Sequence, residues 1–295
     1  MKDQFKNDVK YILDNYKKNI SIDLNNVFYK NRINLVIKSY KETIKNKNID
    51  NPLTFNEKIS WIKIYDCSDI KTYCTDKIKV RNYCQEKLSK DIGVPILKIY
   101  NNVDDINLDE LPQKFVLKCN HGCGFNIIVK DKSKLDFLDV KKKLSSWIKA
   151  NFAYWNYELQ YCNIDKKIYA EELLDENIRD YKIWCFHGNP FMVAIMGNRY
   201  RENFFNNHYD LNFNIMDGWY YSQNRNITDA KPKNFDEMLN YASILSKEFN
   251  YARIDFYNIE GKNYLGEITF TPNAGQLNLS KKLDNEYGKL LELNI

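Results

Sequence analysis

Arg253-Ile254-Asp255-Phe256-Tyr257, the turn Ile259-Glu260-Gly261-Lys262-Asn263 and the return Gly266-Glu267-Ile268-Thr269-Phe270 read as a β-hairpin. Polar and apolar residues alternate along its first arm, so Arg253 and Asp255 share one face while Ala252, Ile254 and Phe256 share the other. With the turn centred on Gly261, Asp255 falls opposite Glu267 and Arg253 opposite Thr269. Facing side chains lie ~5 Å apart at Cβ, and two carboxylates at that separation repel unless something neutralises them. A divalent cation would do so: magnesium takes one or two carboxylates and completes its shell with phosphate oxygens. The plainer alternative is a surface hairpin in which Arg253 pairs with one or both acids.

Upstream, the pattern predicts strands over Ile168 to Leu174, Tyr181 to His187 and Phe191 to Met196, the last two joined through Gly188-Asn189, with a helix over Phe235 to Phe249. The Asn- and Tyr-rich stretch between Met196 and that helix reads as loop. Further back, strands at Phe115 to Cys119 and Ile127 to Val129 flank Asn120-His121-Gly122-Cys123-Gly124, and a helix carries Leu135, Leu138, Leu144, Trp147 and Ile148. Lys118 sits inside the first of these strands, where an ammonium is costly unless it meets an anion. The loop that follows can turn backbone N–H groups toward a phosphate. It is neither a Walker A loop nor a dinucleotide fingerprint, because the Gly-Lys-Ser/Thr ending and its helix are absent. A solvated edge-strand lysine is the alternative.

Asp76 is suited to cap a helix ending near Gly93-Val94-Pro95, with Lys77 in its first turn, where a cation opposes the helix dipole and an anion would relieve the conflict. Thr54-Phe55-Asn56-Glu57 has the form of a capping box opening a helix with Ile59, Trp61 and Ile62. Phe5, Val9, Ile12, Leu13 and Tyr16 recur at helical spacing. The expected organisation is a helical extension over 1–50, an α/β region over 51–112, a small lobe over 113–179 and a larger lobe over 180–295.

Composition narrows the function classes. The 295 residues carry 44 basic and 39 acidic side chains, a net charge of +5, too slight an excess to favour nucleic acid. Tyr 22, Phe 16 and Trp 5 supply core volume to a chain otherwise rich in Lys and Asn. The seven cysteines are scattered without metal-ligand spacing, and His121, His187 and His208 read as core or loop residues. No stretch approaches the ~20 apolar residues of a membrane span, and no signal core opens the chain. A cytoplasmic location is expected.

In order and spacing these segments resemble the ATP-grasp superfamily from about Asn51 to Gly275. The wording Lys118-Cys119-Asn120-His121-Gly122, Asp180-Tyr181-Lys182, Cys185-Phe186-His187-Gly188 and Gly266-Glu267-Ile268-Thr269-Phe270-Thr271-Pro272 is similar to its TupA-like branch. The resemblance implies an α+β ATP-grasp fold, two lobes gripping ATP between antiparallel sheets. It implies Lys77 and Lys118 on the phosphates beneath the loop of Gly122 and Gly124. Glu171, Glu172 and Asp180 fall on the adenosine side, with hinge backbone around Leu173 and Leu174 at the adenine edge. Lys182, Arg199 and Arg253 fall near the transferred phosphate, and Asp255 with Glu267 on Mg2+. Thr269 stands where many relatives have Asn, leaving Thr269 and Asn273 as candidates for the third metal ligand. The implied reaction is ligation of a carboxylate to an amine through an acyl phosphate, with a uronic acid of a surface polysaccharide as acceptor and an amino acid or small amine as donor. A sugar kinase, a metal-dependent glycosyltransferase and a non-catalytic polyanion-binding module are the rival readings.

Overall fold

The computed structural model describes residues 48–175, 178–198, 204–219, 227 and 229–293, with backbone alone at 154 and 155. All but the last three residues of the expected N-terminal extension, and Arg199, lie outside the described residues. Two antiparallel sheets organise the chain. The smaller has the order β1-β4-β2-β3, from Ile96–Tyr100, Ile168–Glu172, Phe115–Cys119 and Asn126–Val129. The larger runs β7-β6-β5-β8-β9, from Phe205–Asp210, Asn189–Gly197, Asp180–Phe186, Tyr251–Ile259 and Lys262–Thr269. Together they make the α+β, two-lobed ATP-grasp fold.

Each sheet buries one face against helices whose apolar spacing fits it. Helix α4 (Phe137–Lys149), opened by Asp136 accepting from Asp139 N, lays Val140 and Leu144 on Phe115 and Leu117 of the smaller sheet. Helix α6 (Phe235–Ser246) sets Phe235, Met238, Ala242 and Leu245 against Ile183, Cys185, Val193 and Ile254 of the larger one. Part of the larger sheet's opposite face is covered by α1 (Phe55–Tyr65) and α7 (Lys281–Leu290), which bring Phe55, Ile59 and Tyr287 onto Trp184, Phe186 and Tyr251. The Thr54 capping box forms as expected. A four-residue helix α5 (Ala153–Asn156) follows α4.

The hairpin pairs Asp255 with Glu267 and Arg253 with Thr269, but by another route than a turn centred on Gly261. Ile259 pairs with Lys262, so the turn is the two-residue Glu260-Gly261, both at positive φ (50° and 77°), the geometry that suits the twist of a tight hairpin. Unbroken, that register would set Gly266 opposite Asp255. An irregularity after Leu265, which faces Phe256, leaves Gly266 as the extra residue and brings Glu267 across from Asp255.

Several expectations need correction. Asp76 does not cap a helix that begins beside it: it ends α2 (Asp69–Thr75), and its carboxylate accepts from Ile78 N (2.9 Å) and Lys79 N (3.3 Å) in the turn before α3 (Val80–Leu88). Lys77 therefore lies in an interhelical turn. The β5–β6 turn is His187-Gly188, one residue earlier than read, with both residues at positive φ. Phe205–Asp210, read as loop, is an edge strand, because pairing from Gly197↔Phe205 to Met192↔Asp210 overrides the poor strand propensity of Asn and Asp.

Candidate functional site

Residues directly opposite one another in antiparallel pairs share a face. Register across the larger sheet therefore makes one row of His208, Ala194, Lys182, Asp255 and Glu267. The next row holds Trp184, Arg253 and Thr269. Arg253 donates from Nε to Asp255 Oδ1 and from Nη2 to Oδ2, each at 2.7 Å, while the Lys182 ammonium also donates to Asp255. Arg253 Nη2 reaches Thr269 Oγ1 at 3.2 Å, and that hydroxyl lies 3.3 Å from Glu267 Oε1. Lys77 closes the cluster from the interhelical turn, 3.0 Å from Glu267 Oε2. Arg253 thus touches both acids, its second contact with Glu267 spanning 3.7 Å. The facing carboxylates are neutralised by three protein cations.

Their titration follows from that enclosure. Burial alone pushes the Glu267 carboxyl up, but Lys77, Lys182 and Arg253 together outweigh it and hold the group well below the usual carboxylate range. Burial pulls the Lys77 ammonium down, and Glu267 more than offsets it, for a net rise. Arg253 behaves likewise, with Asp255 the opposing charge.

Beside the row, between the two sheets, lies a cavity of about 310 Å³. Of the residues named from the sequence, Lys118, Glu171, Glu172, Leu173 and Leu174 line it from the smaller sheet and its hinge, and Asp180 from the larger sheet, whereas Lys77, Gly122, Gly124, Lys182 and Arg253 lie outside its lining. Lys118 is ion-paired with Glu171. Lys182 lies 3.9 Å from Asp180, which links cavity and acidic row. Val116, Ile128 and Met196 give the cavity apolar surface, and Tyr257, unremarked in the sequence, adds an aromatic ring.

The glycine loop is held close by packing. A Cβ on Gly122 would meet the Phe125 ring at 2.6 Å, and Gly124 takes φ +76°. Asn120 ties the loop to Lys77: its side-chain amide donates to Asp76 Oδ1 (2.9 Å) and Asp165 O (2.9 Å), and its backbone carbonyl accepts from Lys77 N (3.2 Å). Sequence reasoning missed this contact between Asn120 and Asp76, since it spans 44 positions. Asn273 is exposed and donates its amide to Gln276 O (2.7 Å) within its own turn. Among the described residues no three His, Cys, Asp or Glu side chains converge as a metal-holding group, and no helix is long and apolar enough to cross a membrane.

A family model described as TupA-like ATPgrasp matches residues 57–292. Among solved structures, D-alanine–D-alanine ligase from Bacillus anthracis complexed with ATP is 20% identical, with a TM-score of 0.42, over 74% of this chain and 62% of that one. L-amino acid ligase from Bacillus licheniformis is 14% identical, with a TM-score of 0.46, over 81% and 54%. N5-carboxyaminoimidazole synthetase from Staphylococcus aureus complexed with ADP is 12% identical, with a TM-score of 0.41, over 76% and 53%. The chain spans about six-tenths of the length of the D-alanine ligases it resembles. No curated protein matches it. Since the family match runs from the first turn of α1 to beyond α7, taking in both sheets and every described site residue, the chain belongs to the TupA-like ATP-grasp family.

Proposed function

We propose that the chain is an ATP- and Mg2+-dependent ligase that joins a carboxylate to an amine through an acyl phosphate, releasing ADP and phosphate. One observation carries this reading. Lys77, Lys118, Lys182 and Arg253 are each paired with a carboxylate among Glu171, Asp180, Asp255 and Glu267, in a row that begins at Lys118, Glu171 and Asp180 in the wall of a cavity sized for a small molecule and continues beside it. A site in which every cation is already balanced suits a ligand that brings negative phosphates together with a positive metal, because both sets of protein charges then exchange partners without an unpaired ion.

The residues fit the two groups that the family implies. Two facing carboxylates beside a hydroxyl, Asp255, Glu267 and Thr269, match a hard cation that takes its remaining ligands from phosphate and water. Asn273 remains the other candidate for that shell. The apolar wall and the hinge at Leu173 and Leu174 suit a nucleobase, with Glu171, Glu172 and Asp180 on its ribose side. Lys77 and Lys118 would hold phosphate oxygens beneath the loop of Gly122 and Gly124. Lys182 and Arg253, with Arg199, would face the acyl group, where fixed positive charge lowers the cost of the negative charge that develops on attack. The metal, when bound, neutralises and orients the phosphates. The acceptor in this reading is a uronic acid of a capsule or other surface polysaccharide or its precursor, the donor an amino acid or small amine, and the setting cytoplasmic. Family context supports that choice, which the cavity does not dictate.

Calorimetry with ATP, with and without Mg2+, tests the site, and a UDP-sugar serves as control. ATP with Mg2+ is expected to bind and the UDP-sugar not. Lys118→Ala should weaken ATP binding by about 1.5–3 kcal/mol with the fold intact. An unchanged dissociation constant would remove Lys118 from the site. Hydroxylamine added to enzyme, ATP, Mg2+ and a uronic acid should yield a hydroxamate, since only an activated carbonyl can be intercepted. A stable phosphorylated sugar without hydroxamate would make the protein a kinase instead.

A further inference from the structure

Just past β9, Thr271 is 3% exposed and donates its hydroxyl to Glu158 Oε1 at 2.6 Å, while Gln160 Nε2 donates to the same hydroxyl oxygen at 2.7 Å. Glu158 and Gln160 are themselves 6% and 4% exposed. Both come from the short segment between α5 and β4, more than a hundred positions away in sequence. Lys63 of α1, fully buried, donates to Asn156 O at 2.9 Å, at the end of α5 just before that segment. Two buried side chains of that segment therefore meet on one hydroxyl, two residues beyond Thr269 and four beyond Glu267, and Lys63 ties the neighbouring turn of α5 to α1.

Such convergence is costly for packing alone, since a buried carboxylate needs partners for every lone pair. What it anchors is the end of β9. After Thr271 and Pro272 the backbone runs through Asn273, Ala274 and Gly275, all at positive φ (47°, 52° and 71°), a run that residues with a Cβ enter only when the surroundings hold them there. Upstream, Thr269 bridges Arg253 and Glu267 by its hydroxyl. A shift of the strand end would move that bridge and the acid beside it.

We propose that Glu158, acting through the Thr271 hydroxyl, is a positioning residue that fixes the Glu267–Thr269 end of β9 for the metal. The inference rests on the ligase reading above, in which Asp255 and Glu267 face Mg2+.

The test is calorimetric titration of ATP into the full chain over a Mg2+ series. Thr271→Val keeps the shape and removes the hydroxyl, while Thr271→Ser keeps the hydroxyl. Thr271→Val should raise the Mg2+ concentration for half-maximal enhancement of ATP binding about tenfold, the low end for loss of an outer partner of a metal ligand. ATP affinity without Mg2+ should stay within about twofold, and Thr271→Ser should restore the Mg2+ dependence. Should Thr271→Val fail to fold, Glu158→Gln makes the same measurement, its amide oxygen still accepting from Thr271 while the charge is gone, with a Mg2+ dependence nearer wild type than that of Glu158→Ala. A folded Thr271→Val with wild-type Mg2+ dependence overturns the positioning role alone. A wild-type chain that binds no ATP at any Mg2+ concentration overturns the ligase reading and this role with it.

Discussion

One face of the larger sheet carries two surfaces of opposite character. Along β5 the change takes a single step of strand alternation: Asp180 and Lys182 belong to the charged site, Trp184 and Phe186 to a packed aromatic cluster. Where α1 and α7 lie over the sheet, Trp184 touches Phe55, Tyr251 and Trp219 with ring centroids 5.2–5.7 Å apart. Beyond the reach of those helices the same face carries the ions Lys182, Arg253, Asp255 and Glu267, each paired with an opposite charge. The aromatic surface is finished without a ligand. The charged surface is satisfied by contacts that a ligand of matching charge can take over. A single sheet thus supplies both a rigid base and an exchangeable site.

The two surfaces should respond to acid differently, and this is the largest effect we expect. His208, stacked on Trp219 with centroids 3.8 Å apart and 1% exposed, has its pKa pushed by burial from 6.5 down to about 3; burial likewise lowers that of His121 in the glycine loop to about 4. A histidine whose folded pKa is lowered contributes full stability above its unfolded value and loses it as pH falls through the interval between the two. Each histidine then costs about 1.4 kcal/mol per pH unit below 6.5, or about 5 kcal/mol for the pair by pH 4.5. Glu267, held low by its cations, keeps its full contribution down to about its unfolded value of 4.5 and yields only in stronger acid. Urea titrations from pH 7 to 4.5 should show this slope, and His208→Phe, which retains a ring for the stack, should remove close to half of it. An acid slope untouched by that substitution would mean the histidine is not the sensor.

Trp184→Ala comes next. Removing a ring that is 2% exposed among the rings of Phe55, Trp219, Tyr251 and Tyr287 should lower unfolding stability by about 3–5 kcal/mol. A loss below 1 kcal/mol would show that the covering helices collapse onto the gap, making the base less rigid than the comparison requires. On the charged surface Asp255→Asn should cost less, about 2 kcal/mol, because Arg253 and Lys182 lose a charged partner while repulsion from Glu267 is relieved. If the variant is instead more stable in urea, repulsion between the acids governs the site and the three cations do not balance it.

How far the site was legible depended on the reach of each contact in sequence. Asp255 and Glu267 lie on one hairpin, so alternation and a turn sufficed to pair them. Lys118 stood out as a charge inside an apolar strand. Glu158 gave no such sign: its meaning lies in a hydroxyl 113 positions away, and no local pattern announces it. Asp76 looked like an N-cap because a capping side chain and an interhelical Asx turn use the same residue type. The strand Phe205–Asp210 was hidden since its neighbour, not its composition, makes it a strand.

The hairpin holds the subtlest case, and the smallest effect. Leu265 and Glu267 are two apart and by plain alternation would share a face; the extra residue Gly266 between them lets Leu265 join the apolar core while Glu267 joins the charged row. A Cβ on Gly266 would meet Asp255 O and the Tyr257 ring at 3.3 Å, tighter than ordinary contact yet within what a ring at the cavity edge can yield. Gly266→Ala should therefore cost about 1 kcal/mol, the low end of overpacking, and weaken Mg2+-dependent ATP binding only a few-fold. Wild-type behaviour in both measurements would mean the bulge has slack and needs no glycine. A loss larger than that of Asp255→Asn would mean the strand has slipped by one residue, which turns the Glu267 carboxylate toward the core under α6. That outcome would make the bulge itself the element that separates the two faces.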